Sequence, residues 1–262
     1  MVHAQLQGSK VPTLMQLDLG NDPTVLYRYS NFAFGIKANA LHLISGTIAN
    51  RRFQNESIRF LETGGQPTPT AGPILLGSLG GSFFKDRILL LDFVKQRVAI
   101  LGKGAQLADA LEREFDYLPV TRNRFGNLLV TATINGRAEH VVFDTGSSML
   151  ALATGHQDWT KWTNRREDDS RNSVIRANSW GRTAFLIGAP LTGTLCAGRA
   201  CIDHPLIFFE SSGLQNLSFE GGSAMGTALI GNVLFDGQFT VIVDLARTRL
   251  GLFRGSVEAY GN

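Results

Sequence analysis

Apolar residues along this chain fall in short runs broken by glycine, proline, asparagine and serine, the pattern of β-strands joined by turns. One such stretch occurs twice. Residues 83–101 read FFKDRILLLDFVKQRVAIL and residues 235–253 read FDGQFTVIVDLARTRLGLF. They align without a gap at an offset of 152, Phe83 matching Phe235, Asp92 matching Asp244, Arg97 matching Arg249 and Leu101 matching Phe253. Each is two β-rich runs around a short charged turn and predicts a hairpin. An apolar run ending in glycine precedes each, Ile74-Leu75-Leu76-Gly77 and Ala228-Leu229-Ile230-Gly231, where glycine allows a close backbone approach.

The two halves also begin alike. Leu128–Ile134, the turn signal Asn135-Gly136 and the run Val141-Val142-Phe143 predict a hairpin leading into Asp144-Thr145-Gly146-Ser147-Ser148. The first half has Val2–Gly8, then Leu14-Met15-Gln16-Leu17 leading into Asp18-Leu19-Gly20-Asn21-Asp22, so Asp18 lies where Asp144 lies in its own repeat. Between the halves, Leu107, Leu111 and Phe115 recur every four residues and predict a short amphipathic helix at the junction. The expected organisation is an all-β, two-lobed chain: an N-terminal lobe over 1–103, a helix and linker over 104–118 and a C-terminal lobe over 119–262. The stretch His156–Arg182 holds all three tryptophans and the charge run Arg165–Asp169. It reads as an exposed insertion with tryptophans packed beneath it, or as a loop that contacts substrate.

The 262 residues suffice for two domains of about 100–150 residues, each with its own core. A formal net charge of +3, with both signs mixed along the chain, leaves no nucleic-acid footprint. No apolar run reaches the roughly 18 residues of a membrane span. The start, Met1-Val2-His3-Ala4-Gln5, lacks the basic and apolar regions of a secretory signal, so the protein is expected to be cytoplasmic or to have lost a leader. Cys196 and Cys201 have only His204 near them, too little for a metal, and read as a small disulfide loop in preference to two free thiols. A structural disulfide points to an oxidising compartment, the periplasm or the cell exterior. The five histidines show no metal-ligand spacing, and neither metal nor cofactor is implied.

Asp144-Thr145-Gly146-Ser147-Ser148 after an apolar run, with the later Leu229-Ile230-Gly231 and the closing hairpin Phe239–Leu252, resembles the active-site loop and flanks of pepsin-like and retropepsin-like aspartic proteases, most of all small bacterial members. The resemblance covers most of the chain. It implies β-barrel lobes with a pseudo-twofold repeat, no cofactor, a monomer, and a peptide or protein substrate held extended between the lobes. It implies peptide hydrolysis by a water activated between Asp144 and Asp18, two carboxylates sharing one proton. Carried over position by position, Thr145 matches the hydroxyl that bonds across to the opposite loop, Gly146 and Gly20 the turns, and Ser147 the partner of the carboxylate.

The first half departs from the pattern. Leu19 stands where threonine is expected and makes no such hydrogen bond. Asn21 stands where serine or threonine is expected and is expected to donate to Asp18, while Asp22 adds a second negative charge. The hairpin expected to cover the site, around Ser45–Phe53, carries no tyrosine, and Tyr27 and Tyr29 come too soon after Asp18 to supply one. Two further readings therefore stand beside the endopeptidase: an inactive relative that holds a peptide, glycan or partner protein in its cleft, and a retropepsin-like homodimer pairing Asp144 with its mate.

Overall fold

The computed structural model describes residues 1–7, 13–28, 41–61, 74–179, 182–211 and 226–257. The fold is all-β and two-lobed, with a pseudo-twofold repeat of the acid-protease kind. In the first half, β1 (Val2–Leu6), β2 (Thr13–Leu17), β3 (Val25–Leu26), β4 (Leu41–Ile48), β5 (Arg51–Phe60) and β6 (Ile74–Leu79) form a closed barrel in the order β1-β2-β6-β3-β5-β4. Alternation places Met15 and Leu17 in the barrel core and leaves Leu14 and Gln16 half-buried on the outer face.

The repeated hairpins are β7 (Ile88–Asp92) with β8 (Arg97–Ile100), and β20 (Phe239–Asp244) with β21 (Arg249–Arg254). β7 and β20 pair antiparallel, Leu90 opposite Ile242, Ile88 opposite Asp244 and Asp92 opposite Thr240. Leu90 thus faces its own counterpart in the repeat, and the pseudo-twofold axis runs between these two residues. The junction helix α1 is a single turn, Asp109–Glu112; Leu107, Leu111 and Phe115 nevertheless pack as one face on Ile88, Leu90, Ile242 and Val257. β9 (Asp116–Pro119) adds to β21 and completes a five-stranded sheet, β8-β7-β20-β21-β9, shared by both halves.

The second half consists of β10 (Thr121–Arg122), β11 (Leu128–Ile134), β12 (Arg137–Phe143), β13 (Leu152–Thr154), helix α2 (His156–Thr163), β14 (Ser173–Ser179), β15 (Arg182–Pro190), β16 (Thr194–Ala197), β17 (Ala200–Asp203), β18 (Leu206–Glu210) and β19 (Ala228–Ile230). Its ten strands follow the order β14-β15-β18-β13-β19-β12-β11-β16-β17, with β10 beside β11. Among the described residues this sheet stays open, with β14 at one edge. Asn135 and Gly136 both have positive φ and form the two-residue turn between β11 and β12. Cys196 and Cys201 face each other across β16 and β17 and are disulfide-bonded. Trp159 and Trp162 are buried on one side of α2, and the Trp159 indole N–H donates to the Ile207 carbonyl at 3.1 Å. The tryptophan-rich stretch is therefore partly a packed helix, and its continuation is the edge hairpin β14–β15. Trp180 and Tyr29 lie outside the described residues.

Asp92 and Asp244 close their hairpin turns in the same way. Asp92 accepts from the Val94 and Lys95 amides at 3.1 and 2.9 Å, from Arg97 at 2.9 Å and from Ser256 at 2.7 Å; Asp244 accepts from the Arg247 amide and from Arg249. Burial alone would raise the Asp92 carboxyl, but the Lys95 amide, Ser256 and Arg97 outweigh it and hold Asp92 below the usual carboxylate range. A depressed folded pKa gives stability that is present above the unfolded value of about 3.9 and lost as pH falls through the folded value. Asp92→Asn is expected to cost roughly 2 kcal/mol at pH 7, and the difference from wild type is expected to shrink below about pH 4. Urea denaturation at pH 7 and pH 3 checks both.

Candidate active site

β2 and β12 run parallel to β6 and β19, Leu17 opposite Leu79 and Phe143 opposite Ile230. Each then leaves its sheet by the same turn. The Asp18 amide donates to Leu79 O at 3.0 Å and the Asp144 amide to Ile230 O at 3.0 Å, while Asn21 N and Ser147 N return to the Asp18 and Asp144 carbonyls at 3.3 Å each. The residues after β6 and β19 bind the turns in turn, Gly81 N to Asn21 O at 2.9 Å and Asn232 N to Ser147 O at 3.1 Å. This register makes Gly80, not Gly77, the counterpart of Gly231. A Cβ on Gly80 would overlap the Asp22 and Pro23 carbonyl oxygens, and one on Gly231 those of Ser147 and Leu150. Gly77 serves a different close approach, against Val25 of β3. The sequence hides this because two glycines, Gly77 and Gly80, follow the apolar run, and only the pairing of β6 with β2 tells which meets the turn.

The two turns meet at the junction, and both carboxylates are buried, Asp18 at 5% and Asp144 at 9% exposure. Asp18 Oδ1 and Asp144 Oδ1 each lie 3.0 Å from the position a Cβ on Gly146 would take, so they lie within twice that distance of each other. Asp144 accepts on both oxygens: Oδ1 from Gly146 N at 2.7 Å and from Gly20 N, across the junction, at 3.2 Å; Oδ2 from Ser147 Oγ at 2.7 Å. Thr145 Oγ1 accepts from Leu19 N at 3.1 Å.

Three features differ from the sequence reading. Asn21 does not donate to Asp18; its side-chain amide bends back to Pro23 O at 2.9 Å. Asp22 forms an ion pair with Arg122, which also donates to Gly126 O at 2.9 Å, so its charge is compensated at the loop between β10 and β11. That loop braces the first turn further, Asn127 Nδ2 donating to Gly20 O at 2.6 Å. The third concerns the covering hairpin. Among the described residues, β4–β5, with its tip at Ala49-Asn50, does not line the aspartate cavity, whereas β14–β15 of the second half does.

That cavity has a volume of about 410 Å³. Its floor is Gln16, Asp18, Asp144, Gly146 and Ser147; its wall is apolar, formed by Met149, Leu150, Ile175, Ala177, Ala184 and Leu186, with Arg176 and Glu210 also lining it. A second cavity of about 400 Å³ shares Gln16, Gly146 and Ser148 with it and extends to Phe93 and Arg97 of the β7–β8 turn. Gln16 thus stands between the two. Its Nε2 donates to Gly146 O at 3.0 Å, and its Oε1 accepts from the Tyr27 hydroxyl at 3.4 Å. Burial pushes the Tyr27 phenol up to about 12, so it stays a neutral donor. Sequence reasoning passed over Gln16, although a polar residue two places before Asp18, where the second half has Val142, was a visible signal.

Among the described residues no three His, Cys, Asp or Glu side chains are placed to hold a metal ion, and no helix is long and apolar enough to cross a membrane.

No protein-family model matches the sequence, and no curated protein matches it. Among solved structures the chain is similar to a retropepsin-like aspartic protease from Rickettsia conorii, at 18% identity and a TM-score of 0.35, over 55% of this chain and 96% of that one. It is also similar to Basic 7S globulin from soybean, at 12% identity and a TM-score of 0.47, over 99% of this chain and 93% of that one. At these identities the likeness is one of chain path and says nothing of activity.

A Cβ on Gly20 would overlap the Asp144 carboxyl group. Gly20→Ala is therefore expected to push the turns apart and cost about 1–3 kcal/mol, with Asp144 losing its bond from the residue 20 amide. Denaturant unfolding together with a crystal structure of the variant tests this.

Proposed function

We propose that this chain is an aspartic endopeptidase that hydrolyses peptide bonds with a water activated between Asp18 and Asp144. The observation that carries the reading is the convergence of these two buried carboxylates on one point beside Gly146, at the floor of a cavity wide enough for a peptide side chain. In this reading the pair holds one proton between them, which supplies an acid and a base together. Asp144 accepts three hydrogen bonds over both its oxygens, which fix the orientation of its carboxylate. In this assignment Asp144 takes the proton from water, and Asp18 donates to the carbonyl oxygen of the scissile bond. The water adds to the carbonyl carbon, and the collapsing tetrahedral adduct expels the amine, which leaves with a proton relayed through the pair. Thr145, Gly146, Ser147 and Gly20 hold the carboxylates; Asn21 shapes its own turn.

In this reading the N-terminal lobe (1–103) and the C-terminal lobe (119–262) each give one aspartate, and the enzyme is a monomer that takes an extended peptide. Having both carboxylates within one chain supports this over a homodimer. The Cys196–Cys201 disulfide supports a periplasmic or extracellular setting. One observation favours the alternative, a cleft that binds without cutting: Leu19 is fully buried where the second half has Thr145, so the cross-junction hydroxyl bond is made in one direction only.

The deciding experiment is cleavage of an unfolded peptide library between pH 3 and pH 7, read by mass spectrometry. Wild type is expected to cut with a bell-shaped pH dependence, and Asp144→Asn and Asp18→Asn are each expected to lose on the order of a thousandfold or more. No cleavage at any pH overturns the endopeptidase reading and puts the binding reading first. Loss in Asp144→Asn alone, with a dimeric mass in solution, establishes the homodimer.

A further inference from the structure

The two halves distribute polarity around their aspartates in opposite ways. In the second half the residue two places before the aspartate is Val142, buried in a small apolar cluster, and the residue after it is Thr145, which accepts across the junction. In the first half the residue before is Gln16, which donates across the junction to Gly146 O at 3.0 Å, and the residue after is Leu19, buried in the core. The strand registers extend the contrast. Leu79 of β6 corresponds to Ile230 of β19, so Val25 and Leu26 of β3 correspond to Ala153 and Thr154 of β13, and Tyr27 to Gly155. The tyrosine that orients Gln16 thus has no side chain opposite it in the second half.

We infer that Gln16, oriented by Tyr27, is a positioning residue that supplies a side-chain hydrogen bond from the first half to the second turn, where Leu19 offers none, and so fixes the turn of Asp144 against that of Asp18. The inference rests on the endopeptidase reading only for its kinetic consequence. The physical argument is one of counting. Leu19 N reaches Thr145 in one direction, and with leucine at 19 no hydroxyl is available to return a bond to the second turn. Gly146 is the residue that separates the two carboxylates, and its carbonyl is held by Gln16 from the barrel. The Tyr27 hydroxyl donates to Gln16 Oε1 and thereby fixes the amide with its NH₂ toward Gly146. Alternation along β2 requires Gln16 to leave the barrel on the side facing the second half. The arrangement places the first half's polar side-chain contact with the second turn two positions before its aspartate, and the second half's one position after.

The test is a swap. Gln16→Leu removes the bond; Gln16→Val with Leu19→Thr gives the first half the second half's pattern; Tyr27→Phe removes the orienting donor alone. Two measurements are made on each full-length protein: kcat and KM on a peptide that wild type cuts, and NMR titration of ¹³C-labelled Asp18 and Asp144 carboxyls. Gln16→Leu is expected to lower kcat by roughly tenfold to a hundredfold with KM within about twofold, and to alter the joint titration of the two carboxyls. Tyr27→Phe is expected to fall between Gln16→Leu and wild type. The swap is expected to recover both the rate and the wild-type titration curve, which a loss of packing at Gln16 would not allow. If Gln16→Leu leaves the titration unchanged, or if the swap recovers no more than Gln16→Leu alone, the inference is overturned. Should wild type cut nothing, the endopeptidase reading fails, and the carboxyl titrations still decide the role of Gln16.

Discussion

Leu90 and Ile242 pair with each other across the junction, and because they are the same position of the repeat, the rest of each half is set about the line between them. Five residues on either strand are committed by this register, and with them the direction in which β2 and β12 deliver their aspartates. Burial holds it in place: Leu90 and Ile242 are almost wholly buried, and the turns of both hairpins are closed by a buried aspartate and its arginine. A slip of one residue would turn every side chain of β7 to the opposite face, which the apolar packing around Leu107 and Phe115 forbids. Two loops far apart in sequence therefore meet at the junction between the halves.

Symmetry sets the meeting point, and the side chains that brace the two turns depart from it. An ideal twofold would give both aspartates the same set of donors. Here Asp144 collects the Gly146 amide, the Gly20 amide and Ser147, while the first turn spends Asn21 on Pro23 and is braced from outside by Asn127 and Arg122.

The repeat, the hairpins and the Asp-Thr-Gly turn were legible because each depends on local signals: Asn135-Gly136 at positive φ, apolar runs of strand length, and Asp92 with Arg97 echoed by Asp244 with Arg249. What escaped depends on register and on contacts between distant residues. The correspondence of Gly80 with Gly231 was masked because Gly77 stands nearer the apolar run, and only the pairing of β6 with β2 shows which glycine meets the turn. The junction helix shrank to one turn because Leu107 and Phe115 reach the same apolar cluster from extended backbone flanking it. Asn21 read as a donor to Asp18 by analogy with Ser147, but its amide finds a carbonyl within its own turn. The hairpin at the aspartates was expected from the first half, yet it comes from the second, where β14 stands at the edge of an open sheet while β4 is tied into a closed barrel through β1.

That last difference bears on how a peptide would lie in the cleft. A strand paired on both sides has no main-chain groups left for a ligand, and β4 is hydrogen-bonded to β1 and to β5. β14 pairs only with β15 among the described strands, and its Ile175, Arg176 and Ala177 line the aspartate cavity. An extended peptide crossing Asp18 and Asp144 meets backbone able to accept a further strand on the second-half side and a closed barrel on the other. On the endopeptidase reading, affinity therefore resides with the second half, which also holds the three-donor carboxylate. The first half contributes Asp18 and the amide of Gln16, the groups that must be placed accurately but need not bind. The departures at Leu19 and Asn21 fall on positions that contact the other turn or their own backbone, and Asp18, the residue that the endopeptidase reading needs from that half, is buried.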